Sequence, residues 1–231
     1  MTSRPAHILD NPIWASLSTR HHGFAQAAGE VLRYPAEIAP FLGVKEAGPI
    51  DSAVVTSLVG DEETVFFVGP CPLPPSGWHV EELGSLAQMV CDVPMAEITG
   101  PAIVPLDERY RPAVLGLAAL VYPHYFRLRT MELGRYFGIL EQGRLVAMIG
   151  ERMGVPGFRE ISAVCTHPDC VGRGLARRLL AFLTNDILAG GETPFLHVSP
   201  NNQRARLLYE QNGYSTRSMI PFRSLRREQR F

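Results

Sequence analysis

The sequence predicts a protein of the α+β class (mixed α/β), in which helices and strands alternate along most of the chain. Two observations carry this prediction. At 231 residues and 46% hydrophobic content, the chain can bury a core in one large domain or two small ones. Beyond residue 107, helical and strand-like hydrophobic patterns succeed one another in the order helix, three strands, helix, strand, helix, strand.

The first hundred residues are expected to form a smaller α+β unit, followed by a second domain over residues 101–231. The segment Pro70–Gly77 contains too many prolines for a helix or a strand, so it is predicted to be a loop. The turn Gly60-Asp61-Glu62 separates two Val-rich or Phe-rich runs and indicates a hairpin. The elements predicted here are hairpin strands over Ala53–Val59 and Thr64–Val68, helices over Asn11–Glu30 and Val80–Val90, and a short strand over Ala102–Pro105.

The second domain is predicted from turn residues together with periodicity. The turn Gln142-Gly143 joins two strands in a hairpin. Leucines at helical spacing predict a helix over Gly174–Ala189, and Gly190-Gly191 ends it. The other elements predicted are helices over Asp107–Val121 and Gln203–Gln211, strands over Tyr136–Glu141, Leu145–Arg152, Arg159–Thr166 and Phe195–Val198, and extended chain from Tyr214 onward.

Charge and cysteine usage narrow the classes of function. The formal net charge is -1 and the isoelectric point is near 6.7, so neither nucleic acid nor a membrane surface is expected as a partner. No apolar run reaches the length of a signal peptide or a membrane span. The four cysteines lack both a CxxC pair and zinc-ligand spacing. We therefore expect no metal, reduced thiols and a cytoplasmic location.

The segment 163–176 runs from a strand through a turn into a helix and has the character of an anion site. The first turn of a helix carries N–H groups without partners and about half a positive charge. Gly172 and Gly174 would let the backbone approach a diphosphate closely, and Arg173 and Arg177 would add positive charge. The same glycines could equally form only a tight strand-to-helix turn, and from these residues alone both interpretations stay open.

Two other phosphate-binding motifs do not fit this segment. A GxGxxG fingerprint starting at Gly172 would require a small residue where Arg177 stands. A GxxxxGK(S/T) loop would require a Lys-Ser or Lys-Thr pair, which the segment lacks. A nucleotide-binding enzyme is therefore the weakest of the alternatives.

Two motifs in this half of the chain point to one family. The run Val171-Gly172-Arg173-Gly174-Leu175-Ala176 is similar to the pattern Q/R-x-x-G-x-G/A, and the run from Asn202 to Tyr214 is similar to NxxAxxLYExxGF. On these motifs the chain resembles the FR47-like branch of the GNAT superfamily of N-acetyltransferases, over Leu106–Arg227. Val171 departs from the Gln or Arg of the pattern, at a position where the family uses chiefly the backbone N–H.

The resemblance implies a GNAT-like mixed central sheet flanked by helices, with acetyl-CoA as the co-substrate. The backbone of Val164, Cys165 and Thr166 would bind the pantetheine arm between two splayed parallel strands, with ordinary sheet pairing as the alternative. Asn202 would contact the arm, or would only cap the next helix. The diphosphate would be held by backbone N–H groups of Val171, Gly172, Arg173, Gly174, Leu175 and Ala176.

The same resemblance suggests two catalytic residues. Tyr209 would donate a proton to the departing thiolate, or would be only a core tyrosine on an amphipathic helix. Glu160 would act as general base, or would be only a charge at the edge of a strand; Glu151 and His167 are weaker alternatives. Backbone N–H groups near Val164 would stabilise the oxyanion, and Cys165 has no adjacent base for a covalent route.

The resulting hypothesis is an N-acetyltransferase in which the primary amine of a small molecule or an amino acid attacks acetyl-CoA directly in a ternary complex. A second hypothesis is a non-catalytic module that binds acyl-CoA as a sensor or a partner-docking domain. The acceptor stays unidentified, and the sequence is compatible with a homodimer.

Overall fold

The computed structural model describes residues 7–121 and 123–228, and the chain forms two compact units. The first comprises the described parts of Met1–Ala36, Pro40–Leu86 and Met219–Phe231, and the second comprises Glu37–Ala39 and the described parts of Ala87–Ser218. These limits differ from the division at residue 100 that the sequence predicts. The reason is that two long strands, Trp78–Val90 and Ser215–Arg227, each begin in one unit and end in the other.

The first unit packs two short helices against β-structure. Strands β1 (Gln26–Ala28), β2 (Val31–Arg33) and β3 (Leu42–Val44) form an antiparallel sheet in that order. Its other elements are helices α1 (Pro12–Ser18) and α2 (Ser52–Leu58), strand β4 (Thr64–Val68), the first part of β5 (Trp78–Val90), and the last part of β11 (Ser215–Arg227), which pairs antiparallel with β4. Trp78, Phe67 and Leu42 are fully buried in its core.

Two of the predicted elements in this part of the chain are wrong. The run 53–59 is helical rather than a hairpin strand, because the Asp51 side chain accepts a hydrogen bond from the Ala53 N–H at 2.8 Å and caps α2. The run 80–90 is strand rather than helix, because β5 finds a strand partner whose pairing overrides the local helical pattern. The predicted helix 11–30 is correct only over α1, because the chain leaves the helix at Thr19 and continues through a 3-10 turn into strand β1. The segment Pro70–Gly77 is a loop as predicted.

The second unit has a mixed sheet, as predicted. Its strand order is β6-β7-β8-β9-β10-β5, with β5 contributing residues 87–90. Every pair is antiparallel except β9 with β10. The elements are β6 (Ile103–Pro105), α3 (Arg111–Val121), β7 (Tyr136–Glu141), β8 (Arg144–Val155), β9 (Phe158–Thr166), α4 (Leu175–Ala189), β10 (Thr193–Val198) and α5 (Gln203–Glu210). Each coincides with a predicted element to within a few residues.

Alternation along β8 directs two clusters to opposite faces of this sheet. Ala147 and Ile149 join a cluster with α4, which buries Leu179 and Leu183. Met148, between them in sequence, joins a cluster with α3 and Cys165. Helices therefore cover both faces of the sheet.

Within the described ranges, no helix is both long and apolar enough to cross a membrane. The same residues contain no group of three or more His, Cys, Asp or Glu side chains placed to hold a metal ion. All four cysteines are buried free thiols.

We expect Gly69→Ala to destabilise the protein strongly. Gly69 has a φ of 100°, and a Cβ there would lie well inside van der Waals distance of the Asp10 carbonyl oxygen. Gly29 is the matched control, because its φ of 56° is also positive but the space beside it is open. Urea unfolding should show a loss of about 1 kcal/mol for Gly29→Ala and about 3 kcal/mol for Gly69→Ala. Equal losses would contradict the importance of this close approach.

Candidate active site

The parallel strands β9 and β10 separate soon after they begin. Their pairing covers only three residue pairs, the last of which joins Glu160 to Phe195. Beyond that pair, β9 continues to Thr166 and β10 to Val198 with no register between them in the described part of the sheet. The facing edges of the two strands therefore leave room for an extended ligand to add its own hydrogen bonds.

A β-bulge in β9 lies within the separated stretch. Met148 of β8 stands opposite Cys165 and Gly150 stands opposite Ser162, so two residues of β9 face Ile149 alone. One of them, Ala163, has a φ of 51°. A non-glycine residue in this region costs about 1–2 kcal/mol, and such strain is concentrated at functional sites. The bulge bends β9 and re-aims the residues that follow it.

The turn between β9 and α4 has the form expected of an anion site. A short 3-10 turn over Pro168–Cys170 leads to Gly172, which has a φ of 84°, and to Gly174, which has a φ of 76° and directly precedes α4. A Cβ at either glycine would meet nothing within 4 Å. Both glycines are therefore required by backbone conformation rather than by packing, and the space beside them is open to a ligand.

The start of α4 carries unpaired backbone donors. The first N–H of the helix that forms a hydrogen bond is that of Arg178, which donates to the Gly174 carbonyl at 3.0 Å. The N–H groups of residues 172–177 have no hydrogen-bond partner among the described residues, and no side chain caps the helix. The helix dipole adds positive potential at the same place. This arrangement favours a phosphate-bearing ligand.

The arginine side chains of this turn are held by protein partners. Arg173 forms a bidentate ion pair with Glu141, at 2.5 and 2.9 Å, which lowers the pKa of that carboxyl group. Arg177 donates to the Asn212 side chain at 2.8 Å. Neither guanidinium points freely into the turn, so the positive character of the site comes mainly from the backbone.

The other residues expected to bind the carrier lie around the separated strands. Asn202 caps α5, accepting a hydrogen bond from the Ala205 N–H at 3.1 Å. The Thr166 hydroxyl is buried without a hydrogen-bond partner in the part of the chain that the structure describes. Burial raises the pKa of the Cys165 thiol to about 12, so this cysteine is not a thiolate nucleophile at neutral pH.

Tyr209 lies near the end of α5, in the cluster beneath α4. Its side chain is 7% exposed, and its ring centroid is 5.9 Å from that of Tyr214. The Tyr209 carbonyl accepts hydrogen bonds from Asn212 and Tyr214, which ends the helix. The structure thus gives Tyr209 a core position, while a role at the thioester stays a prediction.

Glu160 is fully buried at the point where β9 and β10 separate. Burial by itself would raise its pKa, but the Arg152 ion pair at 2.6 Å and the His197 contact at 2.8 Å outweigh this effect. Their combined effect lowers the pKa to about 2. A carboxylate held this firmly as an anion is a weak proton acceptor at neutral pH. The two weaker candidates also have partners, since Glu151 pairs with Arg135 and His167 accepts from the Asp169 N–H.

A chain of hydrogen-bonded polar side chains continues from Glu160. The sequence does not predict this chain. Glu160 accepts from His197 Nδ1, His197 Nε2 contacts the Gln88 amide nitrogen at 2.9 Å, and the Gln88 oxygen accepts from Arg217 at 2.5 Å. Because the Gln88 amide nitrogen can only donate, Nε2 of His197 accepts in this arrangement and Nδ1 carries a proton. Nothing in the sequence pointed to Gln88, because its segment was predicted to be a helix.

The mixed sheet, the separated parallel strands and the uncapped helix together form a site for an extended ligand that carries a phosphate group at one end. Proteins that bind such ligands are the class that this fold and site define. A family model described as FR47-like protein matches residues 136–221. A protein assigned to the GNAT acetyltransferase family from Novosphingobium aromaticivorans has 34% sequence identity and a TM-score of 0.87, over 97% of this chain and 100% of that one. Comparison with curated protein sequences gives no match.

Two more distant structures share the fold. A GCN5-related N-acetyltransferase from Kribbella flavida has 15% identity and a TM-score of 0.60, over 93% of this chain and 95% of that one. A GCN5-related N-acetyltransferase-like protein from Streptococcus suis has 16% identity and a TM-score of 0.59, over 98% and 95%. The chain belongs to the GNAT family of acetyltransferases, in its FR47-like branch, and its fold is that of an acyl-CoA-dependent acetyltransferase.

We expect Glu160→Gln to destabilise the protein in a pH-dependent manner. The pKa of Glu160 is depressed from its ordinary value of 4.5 to about 2, so its ion pair stabilises the fold above pH 4.5. This stabilisation is lost as the pH falls towards 2. Urea unfolding at pH 7 should show a loss of roughly 3 kcal/mol, which shrinks below pH 4.5.

The matched control for this measurement is Glu210→Gln. Glu210 forms an exposed i,i+4 pair with Arg206 at 3.0 Å, and its loss should cost less than about 0.5 kcal/mol. A Glu160→Gln penalty that stays constant from pH 7 to pH 2.5 would show that the carboxylate charge is not what stabilises this site.

Proposed function

We propose that the protein is an N-acetyltransferase that moves the acetyl group of acetyl-CoA to the primary amine of a small molecule or an amino acid. The observation that carries this proposal is the row of unpaired N–H groups at the start of α4, next to the open edge of β9. A diphosphate and an amide-containing arm are the two parts of coenzyme A that these features suit.

In this proposal the carrier binds in an extended conformation. Its diphosphate accepts hydrogen bonds from the free N–H groups of residues 172–176. The Val171 N–H donates to the Pro168 carbonyl at 3.3 Å, so it would have to share or exchange that bond to reach the diphosphate. The pantetheine arm pairs with the backbone of Val164, Cys165 and Thr166. The buried Thr166 hydroxyl, which lacks a partner among the described residues, supports a polar ligand at this end of β9. Asn202 contacts the arm from the start of α5 while it also caps that helix.

The chemistry proposed is a direct attack in a ternary complex. The neutral amine nitrogen forms a bond to the thioester carbonyl carbon, and N–H groups near Val164 stabilise the oxyanion. The C–S bond then breaks, and Tyr209 donates a proton to the sulfur. The proton lost by the amine leaves through a water relay, and the Tyr209 phenolate regains a proton from water. Glu160, already an anion with several partners, supports this relay by orienting His197 rather than by accepting the proton itself.

The proposal is tested by binding and turnover together. Acetyl-CoA titrated calorimetrically should release heat and should protect the amides of residues 172–176 from hydrogen exchange. Free thiol should then appear when the twenty amino acids, putrescine, spermidine and tyramine are supplied as acceptors. Tight binding without turnover for any amine would favour an acyl-CoA sensor, and no binding would overturn the proposal.

Gly174→Asp is expected to abolish carrier binding without unfolding the protein. The new carboxylate can accept from the free N–H groups of α4 and occupies the space of the diphosphate. Gly191→Asp is the control, because Gly191 has the same φ of 76° and the same open surroundings just beyond the other end of α4. Calorimetry should show at least about a 100-fold weaker affinity for acetyl-CoA in Gly174→Asp only.

Tyr209→Phe is expected to lower kcat by about 100-fold or more while the affinity for acetyl-CoA stays within twofold, because only the proton donor is removed. Tyr214→Phe serves as the control. The Tyr214 hydroxyl bonds Thr184 at 2.8 Å within the core, so that variant should lose about 1 kcal/mol of stability and keep its kcat. Normal turnover by Tyr209→Phe would assign Tyr209 to the core alone.

A further inference from the structure

The hydroxyl group of Tyr136 is a buried polar group that no described residue satisfies. The Tyr136 side chain is 3% exposed, and its oxygen has no hydrogen-bond partner in residues 7–121 and 123–228. Leaving a hydroxyl buried and unpaired costs about 1–3 kcal/mol. A phenylalanine would fill the same volume without this penalty, so the hydroxyl itself calls for an explanation.

The position of the ring shows where this hydroxyl is directed. Tyr136 of β7 stands opposite Gly150 of β8, and Gly150 stands opposite Ser162 of β9. A Cβ built at Gly150 would overlap the Tyr136 ring, with Cζ only 2.6 Å away. The ring therefore lies across Gly150 and extends towards β9. Ser162, the β9 residue opposite Gly150, lies in the stretch of β9 that no longer pairs with β10.

The ring is packed on one face of the sheet. Tyr136 packs in the cluster that contains Met148 and Cys165, on the face opposite α4. The Phe126 ring meets it edge to face, with centroids 5.9 Å apart and an interplanar angle of 87°. A group fixed in this way on both sides can bind a ligand atom with little loss of side-chain entropy.

The surroundings of the phenol define the chemistry that it can perform. Burial raises the pKa of Tyr136, and the positive charge of Arg152 opposes this only in part, so the hydroxyl stays protonated throughout the physiological range. It is therefore neither a base nor a charged anchor. It offers one donor and two acceptor positions to a neutral polar ligand.

We propose that Tyr136 binds the acceptor amine, its oxygen accepting a hydrogen bond from the amine N–H so that the nitrogen lone pair faces the thioester carbonyl beside β9. This inference rests on the proposed function. The amine approaches on the face of the sheet opposite α4, while the carrier enters from the start of α4. Tyr136 keeps its own proton throughout, and no bond to it forms or breaks.

Tyr136→Phe tests this inference, because the substitution removes one oxygen atom that has no partner among the described residues. With the best amine from the panel above, kcat/KM should fall about tenfold, as expected for one lost hydrogen bond. The affinity for acetyl-CoA should stay within twofold, and the melting temperature should stay unchanged or rise. A purely structural role for the hydroxyl would not produce this combination.

Tyr34→Phe is the matched control for a buried phenol. The Tyr34 hydroxyl bonds both His21 and Ser16 at 2.9 Å in the first compact unit, so its removal should lower the melting temperature and leave kcat/KM unchanged. A Tyr136→Phe variant with the kcat/KM of the wild type would overturn the inference while the proposed function stands. A parallel loss of acetyl-CoA affinity would also overturn it, by assigning Tyr136 to the carrier. Absence of turnover by the wild type with every amine would overturn both proposals.

Discussion

The separation of β9 from β10 is the constraint on which the candidate site depends. A parallel pair that stops after three residue pairs leaves two strand edges with open hydrogen-bonding groups inside an otherwise continuous sheet. Such an opening is stable only if the strands are held by their outer neighbours. Here β8 holds β9, and β5 holds β10 through four residue pairs. The long strand β5 is thus a structural condition for the opening.

Several features keep the opening in place. The bulge at Ala163 bends β9, and the carboxylate of Glu160 ties Arg152, Met153 and His197 together where the strands diverge. Removing one partner of such a buried pair leaves the other charge uncompensated, so the pair holds these groups in place. The low pKa of Glu160 follows from the same contacts, which explains why the residue best placed in the sequence to be a base is poorly suited to accept a proton.

The second half of the fold could be predicted from the sequence because its signals are local. Glycines end α4 and shape its start, and Gln142-Gly143 specifies a hairpin. The predictions for segments 53–59 and 80–90 are wrong for two different reasons. A single capping aspartate makes the first segment a helix, and a strand partner distant in sequence makes the second a strand. The same limit applies to the site. The spacing of the glycines predicts the unpaired N–H groups at the start of α4. The neighbours of His197, Gln88 and Tyr136 cannot be predicted in this way, because tertiary pairing of distant strands brings them together.

The missing cap on α4 also has a thermodynamic consequence. Among the described residues no side chain caps the first N–H groups of the helix, and residues 171–174 are exposed, so an anionic ligand that binds here replaces water. A ligand that binds only the folded state raises the free energy of unfolding. Once its concentration exceeds the dissociation constant, this increase grows with the logarithm of the concentration. The melting temperature of the chain would then rise as the concentration of such a ligand rises.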